Sequence, residues 1–205
     1  MVEAREFLGA GLQLHGHKCP AMPLGLRAGA LAMNRLGVER SADKTLLALV
    51  ELGDDHCSHC FGDGIQVVTG CTFGKGNIRK LGYGKFAVTL VDRTTSRAVR
   101  VAPQAQAQLQ TKQTPFFQDY RMKGVPPSKV PDEVVMPLID KVMSAPADAL
   151  FSVSDVFEYQ ATGGAETFDS LVCDRCGEMV VERYARVVGQ RKVCIPCQEA
   201  LLAEE

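Results

Sequence analysis

The chain has 205 residues, 46% of them hydrophobic, with Lys+Arg 23 against Asp+Glu 24 and a formal net charge of -1. That length buries a real core and suits one medium domain plus a small appendage, and the even charge excludes global steering toward nucleic acid or an anionic membrane. The N-terminus is charged from Glu3 with no apolar signal core, and no run approaches the roughly 18 apolar residues of a spanning helix, so a cytoplasmic protein without a membrane partner is expected.

Residues 3 to 15 place Phe7 or Leu8, Leu12 and His15 at helical spacing, and Gly16 is a natural stop. Because Pro20 disfavours helical backbone at Cys19, the segment His17-Lys18-Cys19 is expected to be extended, which turns His17 and Cys19 to the same side. Pro20 or Pro23 starts the next helix, which runs to Gly37 with Leu24, Ala28, Leu31 and Leu36 inward and Arg27, Asn34 and Arg35 toward solvent. Gly25, Ala28, Gly29 and Ala32 leave one side of it thin, so another backbone can approach closely.

Thr45 to Leu52 reads as a buried strand that delivers the cluster Asp54-Asp55-His56-Cys57-Ser58-His59-Cys60. A helix and then a tight glycine-rich loop are expected between Gly62 and Asn77. Lys85 to Val91 and Arg97 to Val101 alternate as a hairpin, while glutamine-rich 104–113 fits helix or loop. Gly124 to Ser128 reads as a linker, Asp132 to Met143 as an amphipathic helix, and Ala149 to Tyr159 as a strand. A flexible break at Thr162-Gly163-Gly164-Ala165 divides the chain into a core domain, 1–161, and a terminal domain, 162–205.

The chemistry-bearing residues are grouped. All four histidines lie between His15 and His59, four cysteines (Cys19, Cys57, Cys60, Cys71) fall between Cys19 and Cys71, and four more fall near the C-terminus. The last group, Cys173-x2-Cys176-x17-Cys194-x2-Cys197, has the spacing of two zinc knuckles, and a segment this short needs such a staple to fold. A redox dithiol pair is the alternative. All four ligands are protein, so the zinc is structural. From Cys173 to Glu205 there are six acids and five bases, so this finger is not expected to bind nucleic acid.

The N-terminal cluster offers His15, His17, Cys19, Cys57, His59 and Cys60 as mixed imidazole and thiolate ligands for zinc or another transition metal. If His17, Cys19 and Cys60 alone are ligands, a fourth position stays open for water or substrate. Without metal, Cys19 beside His17 is a candidate nucleophile or redox thiol. The loop from Gly70 to Gly76 has a superficial likeness to a phosphate loop, but its glycine spacing is one residue short and Gly76 replaces the magnesium-binding hydroxyl. An anion nest helped by Lys75 and a purely conformational role for the glycines both remain open.

Three strings recur in order: His15-Gly16-His17-x-Cys19-Pro20, then Cys60-x-x-Asp63-Gly64-Ile65-Gln66, then Thr69-Gly70-Cys71-Thr72-x-Gly74-Lys75-Gly76-Asn77. Followed by the two knuckles, they make nearly the whole chain resemble the FmdE family, named for a component of formylmethanofuran dehydrogenase. The resemblance implies an α+β fold, a two-layer helix and antiparallel-sheet core, often an intertwined homodimer, followed by a small four-cysteine zinc finger similar to that of the DksA/TraR group. Carried over residue by residue, it singles out His15, His17, Cys19, Cys60, Asp63, Gln66, Cys71 and Asn77 as polar groups facing one cleft. Cys19, Cys71 and Asp63 are then candidates for chemistry, and Gln66, Lys75 and Asn77 for binding a cofactor.

The chain departs from the family pattern at Asp54 to Cys60, where His56, Cys57 and His59 are extra potential ligands, and at Ala21, where glycine is common. The family name reflects operon association with a molybdenum or tungsten enzyme. It implies a metal-binding protein that is accessory to such a formate-type oxidoreductase, or that delivers metal or cofactor to its subunits. A stand-alone enzyme acting on a small carbonyl or acyl substrate and a regulator that docks through its finger are the alternatives.

Overall fold

Pro20 caps the start of one helix and Gly16 ends the helix before it, and between these two residues the chain makes the turn that carries His17 and Cys19. In the computed structural model, which describes residues 1–54, 59–161 and 167–204, a short 3-10 turn leads into α1 (Leu8–His15), which stops at Gly16 with φ 79. α2 (Ala21–Leu36) ends at Gly37 in the same left-handed conformation. Its buried face is Met22, Leu26, Ala28, Ala32, Met33 and Leu36, so Leu24 and Leu31, expected inward, are only half-buried. Arg27 is not free in solvent either, since its guanidinium donates to the carbonyls of Val142 and Ala145.

β1 (Leu46–Val50) and α3 (Cys60–Thr69) follow, then β2 (Ile78–Lys80), β3 (Val88–Asp92) and β4 (Arg97–Pro103). The glutamine-rich stretch is helical as α4 (Ala105–Lys112), and α5 (Asp132–Ser144) and the single turn α6 (Ala147–Leu150) lead to β5 (Phe151–Val153) and β6 (Phe157–Glu158). The strand expected over 149–159 is thus two short strands, both laid antiparallel against β4. The expected linker at 124–128 lies inside this first unit, Met1–Ala161.

The sheet order is β2-β1-β3-β4-β5, antiparallel throughout except for the parallel β1–β2 pair. β2 is three residues long and shows no alternation, which is why its sequence did not announce it. Alternation in β1 sends Leu46, Ala48 and Val50 into the main core with α2 and α3, and sends Leu47 and Leu49 to the opposite face with Val91 and Ala98. The fold class is α+β, as expected.

α2 and α3 meet through glycine. A Cβ on Gly25 would stand 2.0 Å from the Phe61 carbonyl oxygen, and one on Gly64 would stand 2.1 Å from that of Met22. Neither backbone can give way without moving a helix. Gly25→Ala and Gly64→Ala are each expected to cost about 3 kcal/mol, read as a lower denaturant midpoint at unchanged slope. Gly9→Ala, which meets nothing within 4 Å, is the control.

Glu51 follows β1 and takes a two-pronged hydrogen bond from Arg100, with Nε to Oε1 at 2.6 Å and the second nitrogen to Oε2 at 2.9 Å. This bond outweighs the opposing effect of burial and holds the Glu51 carboxyl below its usual range. The stability it contributes is present above the unfolded carboxyl value of about 4.3 and is lost as pH falls through the lower folded value. Arg100 is 39% exposed, so solvent screening keeps the expected cost of Glu51→Gln to about 1–2 kcal/mol near neutral pH. Urea titrations of parent and variant should converge as pH falls below about 4.

The second unit, Thr162–Glu205, is built from two hairpins and a helix: β7 (Ser170–Val172) with β8 (Met179–Val181), β9 (Arg186–Val188) with β10 (Arg191–Val193), and α7 (Ile195–Leu202). Among its described residues, Cys173 and Val193 are the buried ones. No core of that size stabilises a domain alone. The expected break at 162–165 lies outside the described residues.

Candidate metal centre

The end of α1, the turn into α2 and the start of α3 converge. One donor atom from each of His15, His17, Cys19 and Cys60 lies within 4.8 Å of all the others. Within this group the His15 and His17 Nε2 atoms are 3.0 Å apart, Cys19 Sγ is 3.5 Å from His15 Nε2, and Cys60 Sγ is 3.9 Å from His17 Nε2. A tetrahedral zinc, with about 2.0–2.1 Å to nitrogen and about 2.3 Å to sulfur, places its donors about 3.3–3.8 Å apart. The residues present fit such an ion. Without an ion, the 3.0 Å contact between the two Nε2 atoms is a hydrogen bond in which one ring donates and the other accepts, so a metal at this place would displace that proton.

Asp63, three residues into α3, receives a hydrogen bond from His15 Nδ1 at 2.7 Å. That contact fixes the ring with Nε2 toward the thiols, where a metal would displace the Nε2 proton, the usual arrangement behind a ligating histidine. It also raises His15 to about 9, with Asp63 the largest cause and Cys60 the next. His17 is pushed down, first by burial and then by the neighbouring His15. Cys19 is held down chiefly by a hydrogen bond with Cys60 and further by the Met22 and Ala21 backbone N–H groups at the start of α2. Cys60 is driven up by sharing with Cys19 and by burial. Asp63→Asn is expected to weaken metal binding about 10–100-fold without changing the number of ions held, measured by competition with a chelating dye.

Other residues singled out from sequence have different neighbours. His59 Nε2 lies 2.9 Å from the Gly53 carbonyl and is not one of the four. His56 and Cys57 lie outside the described residues. Cys71 is fully buried, and that burial pushes its thiol up. Gln66 spans from Asp63 Oδ1 to the Phe73 N–H, so it braces the carboxylate against the glycine loop. Asn77 is buried and donates to the Asp43 and Leu46 carbonyls while accepting from the Thr72 N–H. Lys75 donates to the Ser41 and Ala42 carbonyls. These three side chains pin the loop 70–77 in place. What the sequence did not show is that α2's own N–H groups serve Cys19.

In the second unit the donor sulfurs of Cys173, Cys176, Cys194 and Cys197 also lie within 4.8 Å of one another. The Cys194 N–H donates to Cys173 Sγ at 3.3 Å, and Gly177 takes φ 76 directly after the first knuckle. Cys173 is lowered to about 6, first by the Cys176 and then by the Cys194 backbone N–H, whereas Cys197 is pushed up to about 12 by sharing with Cys194. Four crowded thiols of which one ionises readily are suited to a tetrahedral zinc that removes the remaining protons.

Residues 14–152 match the family described as FmdE, molybdenum formylmethanofuran dehydrogenase operon, and residues 166–201 match the prokaryotic DksA/TraR C4-type zinc finger. A "Probable S-adenosyl-L-methionine-binding protein" of Archaeoglobus fulgidus is 41% identical over 105 residues, which are 49% of this chain and 25% of that protein. The chain thus spans about a quarter of that relative's length. The crystal structure of a tungsten formylmethanofuran dehydrogenase FmdE-like protein from Syntrophus aciditrophicus superposes with a TM-score of 0.65 at 20% identity, over 96% of this chain and 92% of that one. With the family match covering most of its length and the four-cysteine match closing it, the chain belongs to the FmdE family and ends in a C4-type zinc finger.

Proposed function

We propose that the protein is an accessory metalloprotein of a molybdenum- or tungsten-dependent formate-type oxidoreductase, working by holding or handing on a transition metal ion at His15, His17, Cys19 and Cys60. The observation that carries this reading is the convergence of those four donors with Asp63 behind His15. The family's description, which names a molybdenum formylmethanofuran dehydrogenase operon, supports that choice of client. Two imidazoles and two thiols suit zinc or a similarly borderline ion. When bound, such an ion would offer Lewis acidity and a cross-link between the α1–α2 turn and α3. His15 Nδ1 keeps its proton on Asp63, and the α2 N–H groups stabilise Cys19 as thiolate.

Four protein donors complete a tetrahedral shell, which supports a carried or structural ion over one that activates water. Cys19 is 3% exposed and Cys71 0%. Their burial leaves little approach for a carbonyl substrate and weighs against the nucleophile reading. Three quarters of the Archaeoglobus relative lies outside the match, so the ligand in its description is not carried over to the four-donor site.

The test is genetic and analytical. Deleting the protein should lower formate-type oxidoreductase activity and its molybdenum or tungsten content several-fold. The parent chain should restore both, and the Cys19→Ala/Cys60→Ala double variant should not. Unchanged activity and metal content on deletion would sink the proposed client.

A further inference from the structure

The first unit contains a cavity of ≈ 590 Å³ whose lining includes none of the four donors, although it begins at Pro20 and Ala21 directly after Cys19. It lies between the first turn of α2, the strand end at Phe86, β4, α4 and α5. Its walls are apolar, with Leu24, Phe86, Phe117 and Val142 among them, and its volume suits a ligand of small-organic size. Among the described residues, three cations, Lys85, Arg100 and Lys112, line it, and no acidic residue does. Arg100 is neutralised by Glu51 behind it. Lys85 and Lys112 are both exposed; the Lys85 charge is felt by the Glu51 carboxylate, whereas Lys112 forms no ion pair among the described residues. Gln108 and Thr111, on the same face of α4 as Lys112, already donate to the Pro103 and Ala107 carbonyls, so recognition of a charged end falls to the cations.

An apolar cavity with a net excess of positive charge along its lining, Lys112 the unpaired part of it, recognises one chemistry. The apolar body of a ligand leaves water inside, while its charged end stays at the rim against the lysines. We infer that this cavity binds an amphipathic organic anion, a compact hydrocarbon body ending in a carboxylate. The inference goes beyond the metal-handling reading and does not depend on it.

The full-length protein, with 13C-labelled methyl groups, would be titrated with decanoate and in parallel with decyltrimethylammonium, a cation of the same chain length. Decanoate should shift the methyl signals of Leu24, Val142 and Leu150 saturably. The cation should bind at least about tenfold more weakly, since the rim charges repel it. Lys85→Gln/Lys112→Gln should weaken decanoate about tenfold, because each exposed charge contributes modestly. Ala107→Trp, which fills the chamber from α4, should abolish the shifts while leaving the remaining spectrum dispersed. Equal binding of anion and cation would overturn the inference, as would decanoate binding that survives both variants. So would absence of shifts at these methyls. If they shift with protein concentration alone, the cavity belongs to a second copy of the chain and the inference is likewise overturned.

Discussion

Replacing Cys19 and Cys60 together by alanine is expected to lower bound metal from two ions per chain to one. The reason is geometric. His15 and His17 alone leave a cation two nitrogens and water, and losing two thiolates from a four-donor set is expected to weaken zinc by several orders of magnitude. Elemental analysis of the purified chain gives the count. Cobalt substitution gives an independent readout, because thiolate-to-metal absorption from the core should vanish while that of the finger persists. Cys19 is buried beside Met22 and Leu26, so the double variant could lose stability for reasons of packing alone. His17→Ala, on the half-buried turn, removes a donor with less effect on the core and should also shift the cobalt spectrum. One ion per chain in the parent, unchanged in both variants, would refute a core site.

The second large effect belongs to the finger. Cys176→Ser or Cys194→Ser should unfold residues 167–204 while the spectrum of the first unit remains dispersed. The interior there comprises Cys173 and Val193, with Met179, Val187 and Leu202 left exposed, so hydrophobic burial cannot hold the two hairpins and α7 together. In such small zinc domains the binding free energy of about 10–16 kcal/mol is the folding free energy. Amide exchange measures it directly: protection at β8, β9 and α7 should disappear in either variant, with protection at β1 and β3 retained. Retained protection in the finger would mean that it folds without metal.

Much of the fold was legible along the chain because the signals are local. Gly16 and Gly37 stop helices by taking positive φ, and Pro20 starts one. The apolar run at 45–52 becomes a strand buried on both faces, and the hairpin of β3 and β4 follows its own alternation. The knuckle spacing reports its geometry because two residues between cysteines suffice to turn the chain back. Where tertiary contacts decide, local signals fall short. Leu24 and Leu31 look like core residues by period, but Gly25, Gly29 and Gly64 bring α3 so close that the buried face of α2 rotates onto Met22, Leu26 and Met33. Arg27 looks solvated until α5 ends beside it with free carbonyls. β2 is defined by its parallel pairing with β1, a contact that nothing in its own three residues announces.

The N-terminal cluster divides in the same way. The sequence leads to the expectation that His17 and Cys19 share a side, because Pro20 disfavours helical backbone before it; the structure brings their donors together on a turn that bends at His17. By itself the sequence set the cysteine content and spacing of the finger. Only the tertiary structure decided which distant residues complete the first group: Cys60 and His15 join it, and His59 binds the Gly53 carbonyl instead. It likewise assigned Asp63 to His15 Nδ1, Gln66 to bracing that carboxylate, and Asn77 and Lys75 to pinning the glycine loop. The physical reason is one of range. Proline, glycine and side-chain period act over a few residues, whereas donors as far apart in the chain as His17 and Cys60 meet only where the packing of α1, α2 and α3 places them.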